Sequence, residues 1–469
     1  MRPSIIIHYD YKLLLLMLLG MGSTWGLGGT CTNVGCIPKK LMHEAALSGE
    51  TVSNASCYGW DLPSQVPSLN WNDLVANIQG HIKSINWGFK VALATDSVTY
   101  FHDLAAFEDS HTLRLTSENG QEKSHTANII LIATGCRPRY LDIPGGRKHE
   151  FTVTSDDLFS LKYHPGKVLC VGAGYIALEC ASFLSGFGCE VTVMARSILL
   201  RGFDRDLVNI LQSNLEQRGV RFQLNCSPVE IKKLEDGTPP TLQVTSKAGS
   251  KTRTETYNTV LVAIGRHAQT STLNLQAAGV QVHAESGKIV TDKCDRTNVK
   301  HIYALGDVAH ERPELTPPAI KAGQLLANRL FGGSKMLMDY SRIPTTIFTH
   351  TEYSKVGMTE EEAIEKHGEK NIEVYHTSFG PLEFQLTQND QQCFCKIICL
   401  KASKERVLGF HFLGPHAGEV CQGFAVALRM GMKKADLDTT IGIHPTNAEI
   451  ATMLHITKSS GAQAVHTQC

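Results

Sequence analysis

The sequence predicts doubly wound α/β domains followed by a separate α+β module. Three observations carry that reading. Residues 167–196, KVLCVGAGYIALECASFLSGFGCEVTVMAR, read as strand, Gly turn, helix and strand. The apolar runs ANIILIATG (127–135) and TVLVAIGR (259–266) each end in a Gly-containing turn, and HIYALGDVA (301–309) repeats the design. From Arg342 onward come strand-like TTIFT and KIICL, a helix after Thr359, and two helices near the C-terminus. Alternating strands and helices build parallel sheets covered on both faces; segregated runs build α+β units.

In chain order, the first segment, MRPSIIIHYDYKLLLLMLLGMGS, carries an apolar run from Leu13 to Leu19. It is shorter than the roughly 20 apolar residues that span a bilayer. Two readings fit it: a signal-peptide core, which needs only about 7–15, or a replaced first segment. It has too few Arg and Ser for a mitochondrial transit peptide. Next comes GGTCTNVGCIPKK, in which Cys31 and Cys36 are a metal half-site, a structural disulfide or a pair oxidised and reduced in turnover. No second C-x-x-C or His cluster accompanies them, so no metal is expected. Residues 38–50 and 71–93 read as helices, the second with apolar positions at Leu74, Ile78, Ile82 and Ile85.

Bulk numbers narrow the partners. A chain of 469 residues has room for several cores. Its 45 Lys+Arg balance 45 Asp+Glu, which gives no electrostatic reason to expect nucleic acid or an acidic membrane surface. The 14 cysteines are irregularly spaced and several sit in apolar runs, which fits reduced, buried thiols better than a secreted disulfide framework.

The motif that speaks first to chemistry is VGAGYIALE. Gly172 permits a tight turn, Gly174 lets backbone approach a pyrophosphate, and Ala177 lets helix and strand pack closely. The pyrophosphate would sit on the helix N-terminus, where free N–H groups and the dipole favour negative charge. An NAD site normally ends the following strand with an acid for the ribose. Here VTVMARSILLR offers Arg196 and Arg201 instead, which suits the 2′-phosphate of NADPH. A dithiol beside a nicotinamide needs an electron relay, and a flavin, taken here as FAD, supplies one.

With these pieces, WGLGGTCTNVGCIPKK, the ATG, AIGR and ALGD turns and the C-terminal HPTNAE resemble the glutathione reductase–like flavin disulfide reductases over roughly residues 24–469. Within that family, WGLGGTC, RSILLRGFD and HERPELTP look most like the large, animal-type thioredoxin reductases, near their mitochondrial form. The resemblance implies two Rossmann-like domains and a C-terminal dimerisation domain: a truncated FAD domain at 24–160 and 266–341, an NADPH domain at 161–265, and an interface domain at 342–469 with a redox tail. Residues 1–23 stand apart as an atypical segment.

The same resemblance assigns roles. Cys31 would attack the substrate disulfide and Cys36 would lie nearest the flavin. Lys39 would sit by the reactive flavin nitrogen, its charge held by Glu179. Tyr175 would cover the flavin until nicotinamide displaces it, Asp307 would bind the ribityl chain, and Arg266 would help hold NADPH. Further cofactor contacts would fall at Gly29, Thr30, Thr134, Gly135, Ile176, Gly265 and Gly306. His444 would be the general acid/base and Glu449 its orienting carboxylate, the histidine serving the second subunit of a C2 homodimer.

Two departures stand out. The family's opening strand, G-x-G-x-x-G turn and acid, which hold the FAD adenosine, do not precede WGLGG, so that sheet is expected to lack its central strand. At the other end the chain stops at Cys469, where the family has Gly-Cys-selenocysteine-Gly. The expected function is electron transfer from NADPH through FAD and Cys31–Cys36 to a redox tail and thioredoxin, in mitochondrion or cytoplasm. A glutathione reductase and a non-catalytic chain that pairs with full-length subunits are the alternatives.

Overall fold

The computed structural model describes residues 4–8, 13–17, 25–62, 68–147, 150–387, 389–464 and 466–468; for the strands at 4–8, 13–17 and 466–468 only backbone pairing is described. Helices α1 (Gly29–Val34) and α2 (Cys36–Asn54) follow one another across Gly35, and α3 (Trp71–Thr95) lies beyond. Both helices expected here form. Asn70 caps α3 by accepting from the backbone N–H of Asn72 and Asp73, so the helix starts where a side-chain acceptor is available. Ile78 and Ile82, four residues apart, are its buried stripe.

The first sheet has five strands in the order Ile302–Ala304, Ile129–Ala133, Leu13–Met17, Ser4–His8, Val98–Phe101. Leu13–Met17 pairs parallel with Ile129–Ala133, Leu13 opposite Ile129 and Met17 opposite Ala133. Ser4–His8 lies antiparallel both to it and to Val98–Phe101. This corrects the expectation of a missing central strand: the N-terminal apolar run itself fills that place. The physical reason is that a strand paired on both edges inside a sheet suits an unbroken apolar run, which LLLLM provides.

The second sheet is wholly parallel, in the order Arg221–Leu224, Glu190–Ala195, Lys167–Val171, Thr259–Val262. The short α4 (Ser155–Leu158) precedes it, and α5 (Tyr175–Gly186) and α6 (Arg205–Gln217) are its crossovers. Residues Ala177 to Leu184 of α5 are all buried, as a helix packed on several sides requires. α7 (Thr316–Phe331) returns the chain beside the first sheet.

The C-terminal sheet has six strands: Thr345–Ile347, Glu352–Gly357, Arg406–Gly414, Cys393–Leu400, Ile372–Gly380 and, at its edge, His466–Gln468. Around it lie α8 (Glu360–His367), α9 (Leu382–Gln385), α10 (Ala417–Arg429) and α11 (Lys434–Asp438). α10 buries Ala417, Cys421 and Leu428 against the sheet, while Met430 just past it, and Ile441 and Ile443 further on, are exposed. Apolar surface of this kind calls for a partner.

The three units meet at ion pairs. Lys396, fully buried on the C-terminal sheet, donates to Asp204 (2.8 Å), Asp206 (2.6 Å) and Glu360 (2.6 Å), and Lys458 bonds the last two again. Glu50 of α2 meets both Arg218, just past α6, and His350 beside the C-terminal sheet. Among the described residues no helix is long and apolar enough to cross a membrane.

Candidate active site

Gly35 fixes the distance between the two cysteines. A side chain there would come within 2.8 Å of the Thr30 carbonyl oxygen and 3.1 Å of the Cys31 Cα, so only glycine lets α1 turn directly into α2. Cys36 is therefore the first residue of α2, and it lies beside Cys31. Both are free thiols. The Cys36 thiol hydrogen-bonds Cys31 and pulls its pKa down from 9.0 to about 6; burial opposes this, while the Thr316 hydroxyl and the Lys39 charge reinforce it. Cys36 is pushed up in exchange, chiefly by the same hydrogen bond. One thiol of the pair is thus ready as thiolate, the nucleophilic form. Thr316, at the start of α7, stands 3.9 Å from the Cys36 Sγ.

One helical turn along, Lys39 Nζ donates to Glu179 Oε1 at 2.8 Å. The same oxygen accepts the backbone N–H of Phe348 at 2.9 Å, and the ammonium lies 4.4 Å from the Phe348 ring. A buried carboxylate on α5 so holds a cation next to the dithiol, as the sequence anticipated, and Phe348 is a partner it did not name.

The glycine turn lies at the N-terminus of α5. Gly172 has φ 149°, and a side chain there would sit 2.2 Å from the Ala263 carbonyl oxygen. Gly174 caps α5 with no side chain, which leaves the first N–H groups open to an anion. Ala177 is fully buried and Ile176 half-buried behind it. Arg196 and Arg201 lie past the end of the neighbouring strand, exposed and without an ion-pair partner among the described residues. The Tyr175 ring is half-buried, its hydroxyl pushed up by burial first and Glu179 second.

On the far side of the dithiol, Thr134 donates to the Gln269 carbonyl at 2.9 Å, and Gly135, Gly265 and Gly306 make the turns that end their strands. Asp307 follows, with no donor to its carboxylate among the described residues and its pKa raised by burial and then by Glu314. Gly29 opens α1. Thr30 accepts from Arg137 at 3.0 Å and from Arg266 at 3.5 Å. Arg266 also donates to the Cys136 carbonyl at 2.7 Å, so it bridges the ATGC turn and Thr30 beside Cys31 in this structure.

Arg137 is a residue that sequence reasoning missed. It is 2% exposed, pairs with Asp156, and stacks 4.6 Å over the Trp25 ring. Its Nε and the Asp156 Oδ1 have no partner. Its signal was its place two residues after the ATG turn, in ATGCRP. Unpartnered buried polar atoms and the donorless Asp307 call for a polar ligand, and a flavin's ribityl hydroxyls and ring edge fit them. The adenosine half of FAD would meet a different setting, since the strand beside Leu13–Met17 runs antiparallel to it.

His444 stands elsewhere. Its Nδ1 meets Glu449 Oε1 at 3.1 Å and Oε2 at 3.3 Å, while the side chain is 69% exposed. The carboxylate fixes the Nδ1–H tautomer and leaves Nε2 outward for proton transfer. Within one chain this pair does not contact Cys31, so the structure joins the cysteines, Lys39 and Glu179 in one cluster and His444 with Glu449 in another. Cys469 lies outside the described residues; the strand just before it pairs parallel with Ser378–Gly380.

Comparison with known proteins places the chain among relatives. Residues 9–323 match the family model described as pyridine nucleotide-disulphide oxidoreductase. Residues 343–454 match that family's dimerisation domain. Thioredoxin reductase SEP1 of Emiliania huxleyi is 48% identical over 458 residues, covering 96% of this chain and 91% of that protein.

Proposed function

The chain belongs to the pyridine nucleotide-disulphide oxidoreductase family, and we propose that within it the protein is a thioredoxin-disulfide reductase that takes electrons from NADPH through FAD. The observation that carries this reading is the Cys31 thiol, held near pKa 6 beside Cys36 and Lys39. Its overall similarity to a thioredoxin reductase supports the choice of protein substrate. We take 161–265 as the NADPH domain, 24–160 and 266–341 as the FAD domain, and 342–469 as the interface domain of a homodimer.

A bound flavin supplies the two-electron relay between nicotinamide and disulfide. The chain's own residues do the rest. Gly172 and Gly174 seat a pyrophosphate on α5, and Arg196 and Arg201 take the 2′-phosphate. Lys39, fixed by Glu179, favours negative charge beside the dithiol. His444 of the facing subunit takes the Cys31 thiol proton on Nε2; the Cys31 thiolate attacks one sulfur of an acceptor disulfide and releases the other as thiolate, to which His444 returns that proton. Cys36 then attacks the Cys31 sulfur, closing the Cys31–Cys36 disulfide and freeing the second acceptor thiolate. Between this pair and thioredoxin we place the tail that carries Cys469, whose thiol needs a second thiol or selenol as resolving partner to form the bond that Cys31 would reduce. Free, mostly buried thiols throughout the chain support a reducing compartment, mitochondrion or cytoplasm.

The antiparallel strands at the N-terminus favour one second reading, a chain that keeps the dimer module and pairs with full-length subunits. The test is NADPH oxidation by the FAD-supplied chain with thioredoxin or oxidised glutathione as acceptor. Thioredoxin-dependent turnover that Cys31→Ser abolishes supports the proposal. Turnover with glutathione alone would make it a glutathione reductase, and no flavin uptake at all would favour the second reading.

A further inference from the structure

The loop between the strand Glu190–Ala195 and α6 carries Arg196 and Arg201, and its shape depends on a side chain that the nucleotide reading leaves unused. Arg205 is the first residue of α6, where the helix dipole disfavours a cation. Its guanidinium turns back over the loop instead. Nε donates to the Phe203 carbonyl at 3.1 Å, Nη1 to Leu199 at 2.8 Å and Nη2 to Leu200 at 2.7 Å. A planar fork with fixed donors holds three carbonyls in one geometry, which an ammonium on a flexible stem cannot do. Inside that fork Leu200 adopts φ 45°, a left-handed conformation that a branched side chain avoids unless its surroundings impose it.

The same loop is tied to the glycine turn and to the interface domain. Leu200 N–H donates to the Ala173 carbonyl at 2.8 Å, between Gly172 and Gly174. Lys355 of the C-terminal sheet donates to the Gly202 carbonyl at 2.9 Å. Glu361 accepts the Arg205 backbone N–H at 3.1 Å, and Lys396 holds Asp204. Loop, glycine turn and interface domain are therefore one fixed frame before any nucleotide arrives.

We propose that Arg205 is a specificity-positioning residue: by clamping the Leu199–Phe203 carbonyls it pre-organises Arg196 and Arg201 for the 2′-phosphate, without touching the nucleotide. This rests on the reading of those two arginines as the 2′-phosphate hold. Pre-organisation lowers the ordering cost that binding must otherwise meet. It also follows that charge alone at position 205 is not what matters.

The test is calorimetric binding of 2′,5′-ADP and of 5′-AMP to the full-length chain, which needs no flavin. Arg205→Gln should weaken 2′,5′-ADP by about tenfold, the cost of ordering the released side chains, and leave 5′-AMP nearly unchanged. Arg205→Lys should behave like Arg205→Gln. Full rescue by lysine would overturn the proposal in favour of simple charge. Unchanged binding by Arg205→Gln, while Arg196→Ala with Arg201→Ala loses 2′,5′-ADP, would overturn it and leave the NADPH reading standing. If that double variant also binds normally, the NADPH reading falls and the proposal with it. Hydrogen exchange on the unaltered chain gives an answer that does not depend on a variant folding. The Leu200 and Phe203 amides should be protected without nucleotide; protection that arises only on adding 2′,5′-ADP would refute a pre-formed loop.

Discussion

At the residue scale, the chemistry depends on how unequal the two thiols are. Cys31 is depressed because Cys36 donates to it, with Thr316 and Lys39 adding to the effect against burial. Alkylation by iodoacetamide of the reduced protein should therefore rise with pH through a midpoint of about 6 at Cys31, slow below it and fast above. Cys36→Ala removes the largest cause, so the midpoint should climb toward 9.0; a midpoint that stays put would show that the charge of Lys39, not the hydrogen bond, sets it. The cysteine pair was legible in the sequence as a short motif, and the Lys39–Glu179 pair only through the family resemblance that the motifs carry. Arg137, Thr316, Phe348 and Arg205 were not. Each acts through partners over a hundred residues away or through backbone carbonyls, and neither leaves a mark in local spacing.

At the element scale, α2, α3, α5 and the strands flanking the glycine turns were readable from period and punctuation. Residues 13–17 were not, because a short continuous apolar run has no periodicity to separate a buried strand from a targeting segment. Only the neighbours decide it: Leu15 stands opposite Ile6 on one side and Leu131 on the other. Proline at this position would remove a ladder N–H from a strand paired on both edges. Leu15→Pro should lower the unfolding free energy by about 1–3 kcal/mol for each backbone group left unpaired, seen as a lower denaturant midpoint, and should reduce flavin uptake as the sheet loosens. Equal stability of variant and parent would remove that strand from the sheet's centre.

At the scale of the whole molecule, three units are held together by charge pairs that no motif announces. Glu50, Arg218 and His350 join all three. The Glu50 carboxyl is lowered from 4.5 to about 2, its burial outweighed by the His350 hydrogen bond and charge and by Arg218. A depressed acid stabilises the fold above its unfolded pKa, so this contribution should be intact above pH 4.5 and disappear as pH falls through about 2. Glu50→Gln should flatten that acid limb in unfolding experiments; an unchanged pH profile would mean that the junction contributes nothing. On the proposed function the same assembly carries electrons from the glycine turn on α5, read as the nucleotide site, to the dithiol between α1 and α2. The most direct check is mass-spectrometric thiol labelling of the oxidised, FAD-supplied protein before and after NADPH. The account predicts that NADPH makes Cys31 and Cys36 newly reactive, Cys31 first, while the buried thiols stay silent. If NADPH leaves the labelling of both cysteines unchanged, the route from nucleotide to dithiol is wrong.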